Sequence, residues 1–159
     1  MKRLKFCLLA CMALAFFACD SGQVYEAMHK FEGQKWEDED APKFDFSIPD
    51  PGQEYNVACL IRNTLQYPKH NIYLTYTLED STGQVLDSQL LKKDLFDPVT
   101  GRPLGTGLGD IFDHEFMLKE HFKFPQRGGY RLKLQQFVRN EETSLPEIVA
   151  VGIRVSKSN

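Results

Sequence analysis

From residue 44 onward the chain alternates apolar and polar side chains with a period of two. Phe44, Phe46 and Ile48 alternate with Asp45 and Ser47 before Pro49-Asp50-Pro51-Gly52 breaks the run. Residues 55–62 repeat the pattern, with Tyr55, Val57, Cys59 and Ile61 on one side. The clearest alternation covers 71–79: Ile72, Leu74, Tyr76 and Leu78 face one way, and Tyr73, Thr75, Thr77 and Glu79 the other. Successive side chains of a strand point to opposite faces, so each run predicts a half-buried strand. Asp80-Ser81-Thr82-Gly83 supplies turn residues, and 84–91 is the expected hairpin partner.

Three more strands are predicted. In 110–118, Ile111, Asp113, Glu115 and Met117 oppose Phe112, His114, Phe116 and Leu118. Residues 129–139 alternate basic and apolar positions. In 148–155, Val149, Val151, Ile153 and Val155 share a face. Residues 97–110 are rich in Gly and Pro and predict a long loop. The nearest approach to a helical stripe is Phe116–Phe124, whose spacing is ambiguous. The expected fold is therefore all-β, an antiparallel β-sandwich of about seven or eight strands, Ig-like or jelly-roll-like.

The N-terminus follows another pattern. Met1-Lys2-Arg3-Leu4-Lys5 is basic, and Phe6 to Ala18 is apolar without a charge. A basic segment, a short apolar core and a small residue at the cut form a secretory signal. A membrane span needs about 20 apolar residues, more than this run offers. Cys19 directly follows Ala18, where bacterial lipoprotein signals carry the cysteine that is acylated before cleavage. Leu8-Leu9-Ala10-Cys11 fits the usual lipoprotein pattern more closely. A cut there would leave only a few apolar residues upstream and an exposed apolar tail over Met12–Ala18. Cys19 is thus the expected lipidated N-terminus. The expected plan is a signal over 1–18, an anchor and tether over 19–35, and the sandwich over 36–159.

Charge and cysteines narrow the function classes. The 159-residue chain has a formal net charge of −3, and Lys2, Arg3 and Lys5 contribute three of its positive charges. Without the signal the charge is about −6, which disfavours nucleic acid as a partner. Membrane attachment would rest on acyl chains rather than on a polybasic surface. Of the four cysteines, Cys7 and Cys11 lie in the signal and Cys19 takes lipid, which leaves Cys59 without a disulfide partner. On an apolar strand face it is expected to behave as a small buried hydrophobe.

Few groups invite chemistry. Asp110, Asp113, His114, Glu115, Glu120 and His121 are metal-ligating types, but Leu118 stands where a zinc-protease helix would need its second histidine. On a strand, His114 and Glu115 point to opposite faces. Gly105-Thr106-Gly107-Leu108-Gly109-Asp110 lacks the Gly-Lys-Ser/Thr of a phosphate loop and precedes a strand rather than a helix. No nucleophile, no acid–base pair and no cofactor site is expected, so the chain is not expected to be an enzyme. Tyr25, Trp36, Tyr67 and Tyr73 are candidates for stacking on sugar rings, with core packing as the alternative.

An ordered set of motifs carries a family resemblance. Cys19 closes the signal, followed by Ile61-Arg62-Asn63, Tyr67-Pro68 and Asn71-Ile72-Tyr73-Leu74. Next come Gly101-Arg102-Pro103-Leu104-Gly105-Thr106-Gly107-Leu108-Gly109-Asp110-Ile111-Phe112-Asp113, then Gln135-Gln136-Phe137-Val138-Arg139 and Val151-Gly152-Ile153-Arg154-Val155. Over nearly its whole length the chain resembles the gliding motility lipoprotein H (GldH) family of the Bacteroidetes. The resemblance implies an outer-membrane lipoprotein linked to gliding and to type IX secretion, with no enzymatic activity, cofactor or catalytic residues. The expected function is protein docking in an envelope assembly, with Gly101, Arg102, Gly105, Gly107, Gly109 and Asp110 as candidate contacts. Edge strands offer a second docking mode. The alternative is a glycan-binding surface lipoprotein, and the membrane face stays open between periplasm and exterior.

Overall fold

The computed structural model describes residues 22–138 and 143–158. The signal over 1–18, Cys19 and Arg139 lie outside the described residues. Eleven strands run through the rest: β1 (Gln23–Lys30), β2 (Lys35–Glu37), β3 (Lys43–Ile48), β4 (Tyr55–Thr64), β5 (Asn71–Asp80), β6 (Val85–Asp94), β7 (Thr106–Leu108), β8 (Ile111–Phe122), β9 (Gly128–Gln136), β10 (Ser144–Pro146) and β11 (Ile148–Lys157). One sheet has the order β1-β11-β4-β8-β7, and the other β3-β9-β5-β6. β2 and β10 form a separate ribbon. All pairs are antiparallel. The two sheets pack face to face as an all-β sandwich.

The period-two runs build the interior. Phe44, Phe46 and Ile48 meet Ile72, Leu74, Tyr76, Leu78, Leu132 and Leu134 from one sheet, and Val57, Cys59, Ile61, Val151, Ile153 and Val155 from the other. β4 is central and buries its outer face as well, through Ala58 and Leu60. There the row Met28–Gly152–Leu60–Glu115 crosses four strands. Gly152 has no side chain, and Met28 Sδ occupies the space a Cβ would need.

Aromatic residues close both ends. Phe124 packs against Phe46, Tyr55, Phe122 and Tyr130 with ring centroids 5.9, 5.7, 4.9 and 4.6 Å away. At the other end Phe31 stacks on Trp36 at 5.2 Å. The polar tips of these rings are satisfied, as buried Tyr and Trp require. Tyr55 Oη donates to Asp50 O at 2.9 Å, Tyr130 Oη to Gln126 O at 2.7 Å, and Trp36 Nε1 to Asp40 O at 2.7 Å.

Several sequence expectations change here. The segment expected to be a tether contains β1, paired with β11 from Gln23↔Ser156 to Lys30↔Ala150. Its sequence hides this because it is an edge strand with a register shift between Gln23 and Tyr25, so the alternation is blurred. β2 likewise begins inside the expected tether, at Lys35. Phe116–Phe124, ambiguous by spacing, continues strand β8 to Phe122. Register breaks opposite Tyr55–Ala58 disturb its alternation. In β11 a shift between Ile148 and Ala150 turns Ile148 inward, while Val149 is only partly buried.

The strand directions give the molecule two distinct ends. The first holds Gly22, the 49–54 and 122–128 connections, and the C-terminal residues. Lys157 N donates to Gly22 O and Ser158 N to Glu54 O, each at 2.8 Å. The second holds the 65–70 and 95–110 connections, Phe31, and the chain around Phe137 and Glu147. Phe31 N donates to Val149 O at 3.0 Å, and Phe137 N to Tyr73 O at 2.9 Å.

Candidate functional site

The segment expected to be a long loop is an ordered structure. Asp97 organises its first half. Its carboxylate accepts from Val99 N at 3.0 Å, Thr100 N at 2.6 Å and Thr100 Oγ1 at 2.9 Å. Those donors, with the Thr100 amide first, hold the Asp97 carboxyl below the usual carboxylate range. Gly101 N donates to Asp97 O at 2.9 Å, and Asp97 N to Arg102 O at 2.8 Å. A bridge between Phe96 and Pro103 and the bond from Leu104 N to Leu95 O, 2.9 Å long, tie the turn to the domain.

The second half is a hairpin. β7 pairs with the start of β8 through Thr106↔Asp113, Gly107↔Phe112 and Leu108↔Ile111. Gly109 sits in the turn at φ 72°, where glycine is favoured. Asp110 O accepts from Leu65 N at 2.7 Å. Gly105 and Gly107 serve close approach instead. A Cβ on Gly105 would lie 2.5 Å from Asp113 O and 2.8 Å from the His114 ring, and one on Gly107 would collide with Ile111 O and the Phe112 ring. The six candidate contacts therefore share one short stretch on the second end of the sandwich, with Arg102 and Asp110 both exposed.

Beside this hairpin a cleft of about 560 Å³ opens over the outer face of the β1-β11-β4-β8-β7 sheet, lined by Leu104, Gly105, Thr106, Arg62, Asp113 and Arg154 among others. Five of its charged side chains are paired with one another. Arg62 holds Asp113, and Arg154 Nε donates to Glu26 Oε2 at 2.7 Å while its Nη1 donates to Glu115. These hydrogen bonds raise both guanidinium pKa values. The lattice escaped the sequence because its partners are up to 128 positions apart. His114 also borders the cleft, under Gly105, and its ring stacks on Phe116 with centroids 5.8 Å apart. Its Nε2 has no partner, and burial lowers its pKa against the pull of Asp113.

Among the described residues, no three His, Cys, Asp or Glu side chains converge as a metal site would require. Cys59 is fully enclosed, and burial pushes its thiol up to about 12, partly offset by Lys93. It cannot present a thiolate at neutral pH.

Two candidates for sugar stacking are corrected. Trp36 is fully buried under Phe31, and Tyr67 is buried with its hydroxyl donating to Asn71 O at 3.1 Å. Their polar neighbours in sequence concealed contacts made in space. Tyr25 packs on Phe46 at 5.9 Å and is half-buried, as is Tyr73.

Residues 23–155 match the family model for GldH lipoproteins. The chain belongs to the GldH lipoprotein family. The expected family resemblance is thereby shown, and with it a lipoprotein that is membrane-anchored and connected with gliding motility. A gliding motility lipoprotein GldH homolog of Christiangramia forsetii is 28% identical over 151 residues, covering 92% of this chain and 91% of its own length. The gliding motility lipoprotein GldH of Flavobacterium johnsoniae is 27% identical over 162 residues, covering 96% of each. Among solved structures, a chain of the infectious bursal disease virus VP2 subviral particle aligns at TM-score 0.39 and 11% identity, over 83% of this chain and 30% of its own. Dimeric latent PorU from Porphyromonas gingivalis aligns at TM-score 0.30 and 7% identity, over 84% of this chain and 12% of its own. Likeness at this level carries no argument about function.

Proposed function

We propose that this chain is an outer-membrane lipoprotein, held by acyl groups on Cys19, that works as a docking subunit of a gliding and type IX secretion assembly. Membership of the GldH lipoprotein family is the observation that carries the reading. Two features support it. Arg62, Asp113, Arg154, Glu26 and Glu115, all bordering the cleft, are engaged in ion pairs with one another. The 97–110 segment is held on a rigid sandwich and carries exposed polar and apolar side chains, the usual form of a recognition loop.

Two variants of the full chain test this. Cys19→Ser should release the protein from the outer-membrane fraction. Persistence in that fraction would show that the anchor lies elsewhere. Arg102→Glu combined with Asp110→Lys should leave fractionation and abundance unchanged while impairing gliding or type IX export. Unchanged gliding and export would exclude these two charges as docking contacts.

A further inference from the structure

β8 has a free edge where the β7 hairpin gives out. Leu65 N donates to Asp110 O at 2.7 Å, which makes these two residues a narrow antiparallel pair. The ladder runs on from Thr64↔Ile111 to Ala58↔Met117 without a shift. Narrow and wide pairs alternate along such a ladder, so Phe112, His114 and Phe116 turn their backbone N–H and C=O groups to β4. Those of Ile111, Asp113, Glu115 and Met117 point the other way. β7 takes up the first two, through Leu108 and Thr106. Gly105 still lies against His114, but Leu104 N bonds to Leu95 O, so the chain leaves β8 there. Among the described residues, Glu115 and Met117 have no ladder partner on this side.

The cleft beside the hairpin is lined by Gly105 and Thr106 of the β7 arm and by Asp113, His114, Glu115 and Phe116 of β8. Its lining thus follows the free edge from the point where β7 stops covering it. An added strand would complete the ladder there by two narrow pairs, each exchanging two hydrogen bonds. The charges choose among strands. Four carboxylates line the cleft, on Glu26, Asp94, Asp113 and Glu115, against two guanidiniums, on Arg62 and Arg154. Arg62 is taken by Asp113, and Arg154 is shared between Glu26 and Glu115. Glu115 therefore lacks a full counter-charge, and Asp94 at the end of β6 adds to the negative excess. A second copy would set this excess against its own, and like charges destabilise a strand pair. A basic segment is complementary.

We propose that the free edge of β8 at Glu115–Met117 is a docking groove for an extended segment of another protein, added antiparallel to β8, with Lys or Arg opposite Glu115 and an apolar residue opposite Phe116. The basic side chain shares the outer face with Glu115. The next side chain turns inward beside Phe116, which packs against the core. The register shift beyond Ala58 ends the regular edge after Met117, so the paired segment is short. The inference deepens the docking reading and rests on it for the partner being a protein.

The test titrates the full-length lipoprotein, purified in detergent, into a fluorescein-labelled peptide of three Lys-Val repeats and follows fluorescence polarisation. Saturable binding is expected, with none by the matching Glu-Val peptide. N-methylation of the lysines, whose amides face β8 in the proposed register, should abolish binding, whereas N-methylation of the valines should leave it. Met117→Pro removes the outward N–H without touching the β4 ladder, as proline on a free edge can. It should weaken binding by about tenfold, the worth of the hydrogen bonds lost. Glu115→Lys serves as the second variant should Met117→Pro not fold, and should reverse the preference to the Glu-Val peptide. Four results would overturn the proposal: no binding of the Lys-Val peptide, equal binding of the two N-methylated peptides, affinity unchanged in both variants, or a dimer of the chain that the peptide dissociates. Binding is read on purified protein, while gliding and export of cells carrying Met117→Pro report the assembly role. Failure of the groove is therefore distinguishable from failure of the docking reading.

Discussion

Arg62 on β4 grips Asp113 on β8 with two parallel hydrogen bonds, Nε to Oδ1 at 2.7 Å and Nη2 to Oδ2 at 2.9 Å. Asp113 is also the residue opposite Thr106, so the pair lies where the β7 hairpin joins the sheet. Both side chains are substantially exposed, at 39% and 50%, which limits the energy of the pair. A double-mutant cycle of Arg62→Ala and Asp113→Ala should give a coupling of about 0.2–1 kcal/mol in urea unfolding. A coupling well above that range would mean the pair is shielded from solvent.

Trp36 should behave as a core residue. Trp36→Ala removes the stacking partner of Phe31 and should cost about 3–5 kcal/mol in equilibrium unfolding. Trp36→Phe should cost less, because it keeps the stack and loses mainly the bond to Asp40 O. Near-wild-type stability for Trp36→Ala would contradict its burial.

Cys59 should be chemically silent until the domain opens. Its thiol lies in a closed interior with a raised pKa, so the folded domain should not react with a neutral thiol reagent. One equivalent should react after denaturation, counted on a chain lacking the signal and Cys19. Prompt reaction of the native protein would show that the β4 core opens locally.

His114 makes stability sensitive to acid. Its folded pKa is lowered chiefly by burial, with Asp113 acting in the opposite direction. Below its unfolded value, about 6.5, the unfolded chain binds this proton more readily than the folded one. The stabilisation from keeping the ring neutral is complete above that value. It is lost as pH falls from there toward the folded pKa. The urea midpoint should therefore fall on acidification through this window, and His114→Gln should flatten the fall. An identical slope in His114→Gln would assign the acid sensitivity to other groups.

Local pattern and long-range pairing divide the account of this protein between them. Six strands with a readable alternation, β3, β4, β5, β8, β9 and β11, were legible because alternation is a property of neighbouring residues, and β6 followed from the turn before it. The lack of a disulfide partner for Cys59 was legible too. β1 was not readable, since it exists only through residues some 125 positions away in β11. Trp36 sits before four consecutive acids and resembled an exposed loop residue. Phe31 and the Asp40 carbonyl, met only after the chain turns, take it inside.

The 97–110 segment shows the same division. Its glycines signalled a break in regular structure, and Gly109 does allow a tight turn. Gly105 and Gly107 instead clear space for the neighbouring strand, a need created only when β7 folds back on β8. Leu104 and Leu108 were visible as apolar residues in a polar stretch, but composition could not tell whether they would be buried. Residue order alone was sufficient for the β class, the lone interior cysteine and the acidic charge. Sheet order and the paired charges over the outer face required the folded chain, because each joins residues that are neighbours only in space.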